Sequence, residues 1–435
     1  MGEISREEVL EFHLGGKVGL RLARPLLTRR DLCIAYTPGV AEPVREISRD
    51  PAAADRYTAR GNLVAVVSDG TAILGLGDLG ATASIPVMEG KAVLFKAFGD
   101  VDGWPVPLNH CRKGGKNTGP TDPDRLVDAV CALSPMYGGV NLEDIAAPAC
   151  FEIEDRLDEL LDVPVFHDDQ WGTAVITLAG VFNYARLCER ELGELRTVIN
   201  GAGAAGIRIA EMLKAAGVTD VVLCDSRGVI RTDRADLTPK KREHAADTDA
   251  RTVADAMKDA HMFIGVSVAD CIRPENVRAM APYPAIFAMA NPDPEIRPDQ
   301  VAAAMGSDPF IMATGRSDYP NQINNVLGFP FLFRGALDVQ ASSINIPMKI
   351  AAAHALAAVA QEPVPEAVLA LYPDETLEFG PDYIIPKPFD RRLFVEVSFD
   401  VARAAVESGA ASGIDLTSYR TELETHNESR AEEHD

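Results

Sequence analysis

The chain has 435 residues, 47% of them apolar and 25% charged, with a formal charge of −23. This length exceeds one simple core and predicts two domains, and the acidity argues against nucleic acid as a partner because phosphates would be repelled. For the same reason, an anionic substrate needs a local basic pocket.

Met1–Leu10 is polar and acidic without the apolar centre of a signal peptide, and no apolar run reaches the roughly 18 residues of a membrane span. Seven scattered cysteines with no C-x-x-C pair fit a reducing compartment, so a cytoplasmic protein without a membrane partner is expected. To about residue 165, short strand-like runs mix with turns rich in Gly and Pro. There, Leu63–Val67 leads to GLGDLG at 75–80, a G-x-G-x-x-G spacing with Asp100 at a plausible distance for a ribose contact. Pro86 and Gly90 follow in ATASIPVMEGKAVLFKAFGD and predict that no helix forms after the motif. The motif is therefore read as a backbone turn.

Two acidic pairs come next, Glu143–Asp144 in GGVNLEDIAAP and Asp168–Asp169 in VPVFHDDQWGTA. Neighbouring side chains on a strand point to opposite faces, so such a pair suits divided labour, one carboxylate on a metal and the other on a cation. No His or Cys stands at ligand spacing around them, and carboxylates alone suit Mg²⁺ or Mn²⁺. Acidic pairs also serve as helix caps and solvated turns, and the residues alone leave both readings open.

From about residue 166, longer helices alternate with short apolar runs, the pattern of βαβ units around a parallel sheet. Val175, Leu178, Ala179 and Phe182 predict a helix with one apolar face, capped by Thr173. RTVIN then leads directly into GAGAAG at 201–206. Gly201 permits the tight turn, Gly203 lets the backbone approach phosphates, and Gly206 lets helix and strand pack closely. Ala204 and Ala205 open a helix whose free N–H groups would face a pyrophosphate. Ile209, Met212, Leu213 and Ala216 continue that helix, and DVVLCD ends on Asp225. GAGAAG is therefore the expected dinucleotide loop. Asp225 favours NAD through the ribose hydroxyls, while Arg227 fits either a 2′-phosphate of NADP or a solvated loop. Residues 417–435 are polar and predict a fraying tail.

Several blocks together resemble the malic enzymes of the short bacterial and archaeal type. They are AYTPGVAEPV (35–44), AVVSDGTAILGLGDLG (65–80), PVMEGKAVLFK (86–96), GGVNLEDIAAPACFEIEDRL (138–157) and VPVFHDDQWGTA (163–174). INGAGAAGIRIA (199–210), AMANPDPEI (288–296), GRSDYPNQINNVLGFPFLFRGALD (315–338) and FGPDYIIPKPFD (379–390) complete the set. The resemblance implies an amino-terminal α/β malic-enzyme domain over 1–165. It further implies a Rossmann-like, doubly wound parallel-sheet NAD(P)-binding domain with returning C-terminal helices over 166–416, before the polar tail. The implied activity is oxidative decarboxylation of (S)-malate to pyruvate and CO₂ with NAD or NADP and Mg²⁺ or Mn²⁺, accompanied by oxaloacetate decarboxylation. A homodimer or higher homo-oligomer is also implied.

By the same resemblance, Tyr36 matches the general acid, Lys91 the general base and Asp168 the lysine's carboxylate partner. Glu143, Asp144 and Asp169 match the metal ligands, and Asn291 and Asn325 match residues that touch substrate or nicotinamide. A lysine of ordinary pKa near 10.4 must be shifted down to act as a base, and a metal and a positive nicotinamide push that way. Three departures stand out: Trp171 where the family usually has His, Ile85 where it commonly has Lys, and a longer stretch at 103–119. Arg112, Lys113 and Lys116 make that stretch either a basic lid, an oligomer contact or a plain surface insertion. The phosphotransacetylase-like extension of long relatives is not expected, nor regulation through it. Rival readings are a relative acting mainly on oxaloacetate or another β-hydroxy acid, an amino-acid dehydrogenase, or a nucleotide-sensing subunit.

Overall fold

The computed structural model describes residues 4–73, 75–114 and 119–432. Two parallel sheets carry the architecture. The first contains β1 (Leu63–Ser68), β2 (Asp102–Pro107), β3 (Gly139–Leu142) and β4 (Val165–His167), in the order β2-β1-β3-β4. The second contains β5 (Arg196–Asn200), β6 (Asp220–Asp225), β7 (Gly228–Val229), β8 (Met262–Gly265), β9 (Ala285–Ala288) and β10 (Ile311–Thr314). Its order is β10-β9-β8-β5-β6-β7, with only β7 antiparallel. Continuous apolar runs such as LVAVVS in β1 form these strands because helices cover both faces of a parallel sheet.

Both sheets reverse direction beside their first strand. In the first, the chain passes from β1 to β2 on one side and then to β3 on the other; in the second, it passes from β5 to β6 and then to β8. Ligands of open α/β sheets bind at such switch points, beyond the carboxyl ends of the strands. Glu143 and Asp144 leave β3 at the first switch point, and Gly201 leaves β5 at the second.

Three expectations are corrected. A helix does follow GLGDLG: Ala81–Gly99 runs unbroken through Pro86 and Gly90. Packing overrides propensity there, because Met88, Ala92 and Phe95 are buried and Phe95 meets the rings of Phe329 and Phe333 at 4.7 and 5.2 Å. Over its described residues the tail is not frayed, since Leu416–Glu432 is a helix that buries Tyr419 and Leu423. Its His426 pairs with Asp100 at 2.8 Å, and Arg430 donates to the carbonyls of Ala97 and Phe98, capping the end of the 81–99 helix. Thr173 caps nothing: the chain enters the Thr173–Leu187 helix through a wide π-type turn at Asp168–Gly172, and the helix is buried on nearly every side.

Candidate active site

Lys91 lies midway along the 81–99 helix, which brings its side chain to the carboxyl edge of the first sheet. Its ammonium pairs with Asp168, immediately beyond β4, and lies 3.1 Å from Glu143 Oε1. Asn325 donates to Asp168 Oδ2 at 3.1 Å, and Thr173 Oγ1 donates to Asn325 Oδ1 at 3.1 Å. The backbone N–H of Asp144 donates to Asp169 Oδ2 at 2.8 Å, tying the two acidic turns together. The structure thus gathers Lys91, Glu143, Asp144, Asp168, Asp169 and Asn325. Asn291 follows β9 at the carboxyl edge of the second sheet, with its carbonyl facing Gly75. Tyr36 is 68% exposed, and among the described residues its hydroxyl makes no hydrogen bond.

The carboxylates control the charge of this centre. Burial pulls the Lys91 ammonium down, but Asp168, Glu143 and Asp169 outweigh it and hold the pKa above the ordinary lysine value. The chain's own residues therefore do not produce the expected downward shift. Burial, then crowding by Asp169, Asp168 and Asp144 against the opposing pull of Lys91, raises Glu143 well above the usual carboxylate range. Ligand oxygens of Glu143, Asp144 and Asp169 lie within 4.8 Å of one another. Three hard oxygen donors under mutual repulsion fit a divalent cation of the Mg²⁺ or Mn²⁺ kind. The adjacent His167 is fully buried, and burial brings it down to about 4, so it contributes no positive charge at neutral pH.

The two glycine motifs divide by their surroundings. A Cβ at Gly206 would stand 1.7 Å from the Gly201 carbonyl oxygen, and one at Gly201 would stand 2.4 Å from the Val266 carbonyl after β8. At Gly203 a Cβ would meet nothing within 4 Å, and the Ala204–Ala215 helix begins at the next residue. GAGAAG therefore combines close packing with an open cradle at a helix N-terminus. Gly77, by contrast, has open space around it and a φ of +86°, so it serves a turn. Asp225 is not free to receive hydroxyls. Burial raises it, but hydrogen bonds from Arg234 and Lys241, each 2.8 Å away, bring it down to about 2. The Arg227 side chain is 72% exposed and pairs with Asp236.

Sequence reasoning missed these two cations and also Arg208. Arg208, two residues beyond Gly206, donates to Gln170 of the acidic turn at 2.9 Å and to Glu154 at 3.0 Å. Its guanidinium and the Lys349 ammonium stand 4.5 and 3.7 Å from the Trp171 ring centre. The basic run after β6 and an arginine inside a dinucleotide helix were the available signals. In the 103–119 stretch, Arg112 is buried against Asp69 and Asp78, Lys113 is exposed, and Lys116 lies outside the described residues.

The sheets and their switch points define a two-domain, dinucleotide-binding α/β protein. The family description "Malic enzyme, N-terminal domain" matches residues 16–158, and "Malic enzyme, NAD binding domain" matches residues 171–376. The chain is 52% identical over 417 residues to an NADP-dependent malic enzyme of Rhizobium meliloti, covering 94% of this chain and 53% of that one. It is 51% identical over 416 residues to an NADP-dependent malic enzyme of Halomonas elongata, covering 94% and 96%. It thus spans about half the length of the first relative and nearly all of the second. A crystal structure of malic enzyme from Pyrococcus horikoshii superimposes with a TM-score of 0.84 at 38% identity, covering 98% and 99% of the two chains. The chain belongs to the malic enzyme family. Among the described residues, no helix is long and apolar enough to cross a membrane.

Proposed function

We propose that this chain converts (S)-malate and NADP⁺ into pyruvate, CO₂ and NADPH, with Glu143, Asp144 and Asp169 holding Mg²⁺ or Mn²⁺. The observation that carries the reading is one lysine paired with Asp168 and Glu143, in the field of Asp169, at the switch point of a parallel sheet where Glu143, Asp144 and Asp169 converge. A cation held by Glu143, Asp144 and Asp169 would supply Lewis acidity toward the substrate hydroxyl, and a dinucleotide held by GAGAAG would supply the hydride acceptor. Lys91 takes the proton of the C2 hydroxyl, held in position by Asp168, which Asn325 fixes in turn. A cation held by Glu143, Asp144 and Asp169 would offset the pull of Glu143 and Asp169 on Lys91, leaving that of Asp168, and would so lower the lysine toward the range of a base. Tyr36 supplies the proton to C3 after CO₂ leaves.

Gly201, Gly203 and Gly206, with Ala204 and Ala205, receive the pyrophosphate, and Asn291 borders the nicotinamide. NADP⁺ is favoured over NAD⁺ because Asp225 is already occupied by Arg234 and Lys241, while the 72% exposed Arg227 is held only by Asp236 and can turn to a 2′-phosphate. The seven cysteines are unpaired, which supports a cytoplasmic location. We take the working form to be a homo-oligomer. Purified protein given malate, Mn²⁺ and NADP⁺ is expected to form pyruvate and NADPH in equal amounts, and a chelator is expected to stop the reaction. Failure to form pyruvate with either dinucleotide would overturn the reading.

A further inference from the structure

Among the described residues, ligating side chains converge within 4.8 Å in two sets of three. One is the acidic centre of Glu143, Asp144 and Asp169; the other is Glu211, Glu243 and His244. The second set takes no part in the chemistry proposed above. Glu211 lies on the Ala204–Ala215 helix that follows GAGAAG, and Glu243 and His244 close the short Pro239–Arg242 helix beyond β7. The N–H groups of Glu243 and His244 donate to the carbonyls of Pro239 and Lys241, which fixes the turn that presents both side chains.

His244 is the informative member. It is only 5% exposed, and its Nε2 has no hydrogen-bond partner. Buried polar atoms are almost always paired, so an unpaired one marks a place where a ligand can complete the shell. Nε2 faces Glu211 Oε1 at 3.9 Å, too far for a hydrogen bond. Arg208 takes the other oxygen of Glu211 at 2.8 Å, and so holds the carboxylate with Oε1 toward the histidine. Glu243 is exposed and gives the trio an open side.

One imidazole nitrogen with two carboxylate oxygens suits a borderline divalent ion of the Zn²⁺ kind, whereas Mg²⁺ takes oxygen alone. Donors about 2.1 Å from one tetrahedral ion stand about 3.4 Å apart, so the trio need only draw in slightly, with water in the fourth position. The opposing charge is Lys214, one turn beyond Glu211 on the same helix face, whose ammonium stands 3.4 Å from His244 Nδ1. An ammonium only donates, so Nδ1 accepts and Nε2 carries the ring proton while no ion is bound. An ion on Nε2 moves that proton to Nδ1, leaves the ring neutral, and sets Nδ1–H against Lys214. The lysine therefore limits affinity without blocking the site.

We infer that Glu211, Glu243 and His244 form a structural site for one divalent ion of the Zn²⁺ kind, strapping the 239–244 turn to the dinucleotide helix. The same turn carries Lys241, which pairs with Asp225 at the end of β6, so the strap also holds that lysine in place. The site is independent of which substrate the acidic centre takes.

Zinc content tests it. After dialysis against Zn²⁺, elemental analysis is expected to find two equivalents per chain in the wild type and one in both His244→Gln and Glu243→Gln. Both variants should keep wild-type turnover with Mg²⁺ and malate. Should His244→Gln fail to fold, Glu243→Gln carries the test, because its side chain is exposed. In Glu143→Gln protein, zinc-edge absorption should show an imidazole nitrogen that His244→Gln removes. Lys214→Gln, whose amide oxygen can accept from Nδ1–H, should tighten Zn²⁺ binding roughly 10- to 100-fold in a chelator competition. Zn²⁺ should also raise the urea midpoint of the wild type more than that of Glu243→Gln, because the ion joins segments that are apart in the unfolded chain. A wild type holding one equivalent, or two equivalents retained in both variants, would overturn the site. A zinc shell in Glu143→Gln protein without imidazole nitrogen would do the same.

Discussion

Single methyl groups at three glycines separate the two G-x-G-x-x-G motifs. At Gly206, an added Cβ falls 1.7 Å from the Gly201 carbonyl oxygen, so the helix must retreat from the strand by more than an ångström. Such overpacking costs about 1–3 kcal/mol of stability and also moves the helix N-terminus away from the phosphates. At Gly203, φ is −88° and nothing stands within 4 Å, so Gly203→Ala should fold within about 0.5 kcal/mol of wild type. Its methyl occupies the cradle, and losing a charge-assisted hydrogen bond of about 1.5–3 kcal/mol raises the Kd for NADPH roughly 10- to 100-fold. Gly77→Ala is the control, because its φ of +86° predicts about 1–2 kcal/mol of strain without a change in cofactor affinity. Urea titrations give the stabilities, and NADPH fluorescence gives the binding. Wild-type binding by Gly203→Ala together with lost binding in Gly77→Ala would refute the assignment of the cofactor to GAGAAG.

Arg227→Ala should raise KM for NADP⁺ at least tenfold (about 1.4 kcal/mol) and leave NAD⁺ unaffected, as read by paired steady-state kinetics. Glu143→Gln should weaken Mn²⁺ binding at least tenfold by calorimetry while raising the metal-free melting midpoint, because the substitution relieves a buried, crowded carboxylate. Burial pushes Lys349 down to about 8 from 10.5, so the unfolded chain holds the extra proton between those values and wild-type stability gains as pH rises from 8 to 10.5. Lys349→Met should remove this gain, on the order of 3 kcal/mol, in the difference between the two urea-stability profiles.

The second glycine motif was legible because every step of it is local: RTVIN makes the strand, GAGAAG the turn, and the next periodic run the helix. The acidic pairs were legible as chemistry, but their convergence on Lys91 comes from strand order, which brings β3 beside β1 and β4 beside β3. Local propensity misjudged the 81–99 helix, since Pro86 and Gly90 are outweighed by burial of Phe95 and Met88. It misjudged the last helix for the same reason, as Tyr419 and Leu423 find their partners far away in the chain. The occupation of Asp225 escaped because Arg234 and Lys241 reach it across a loop. Tyr36 could be matched to a motif, yet nothing in its sequence neighbourhood reveals that its side chain stands in solvent.

The base itself remains the decisive group to remove. Lys91→Ala should bind NADPH and Mn²⁺ within about twofold of wild type while turnover of malate falls by roughly 10²–10⁴. Turnover of malate to pyruvate at the wild-type rate in that variant would contradict a lysine-centred mechanism.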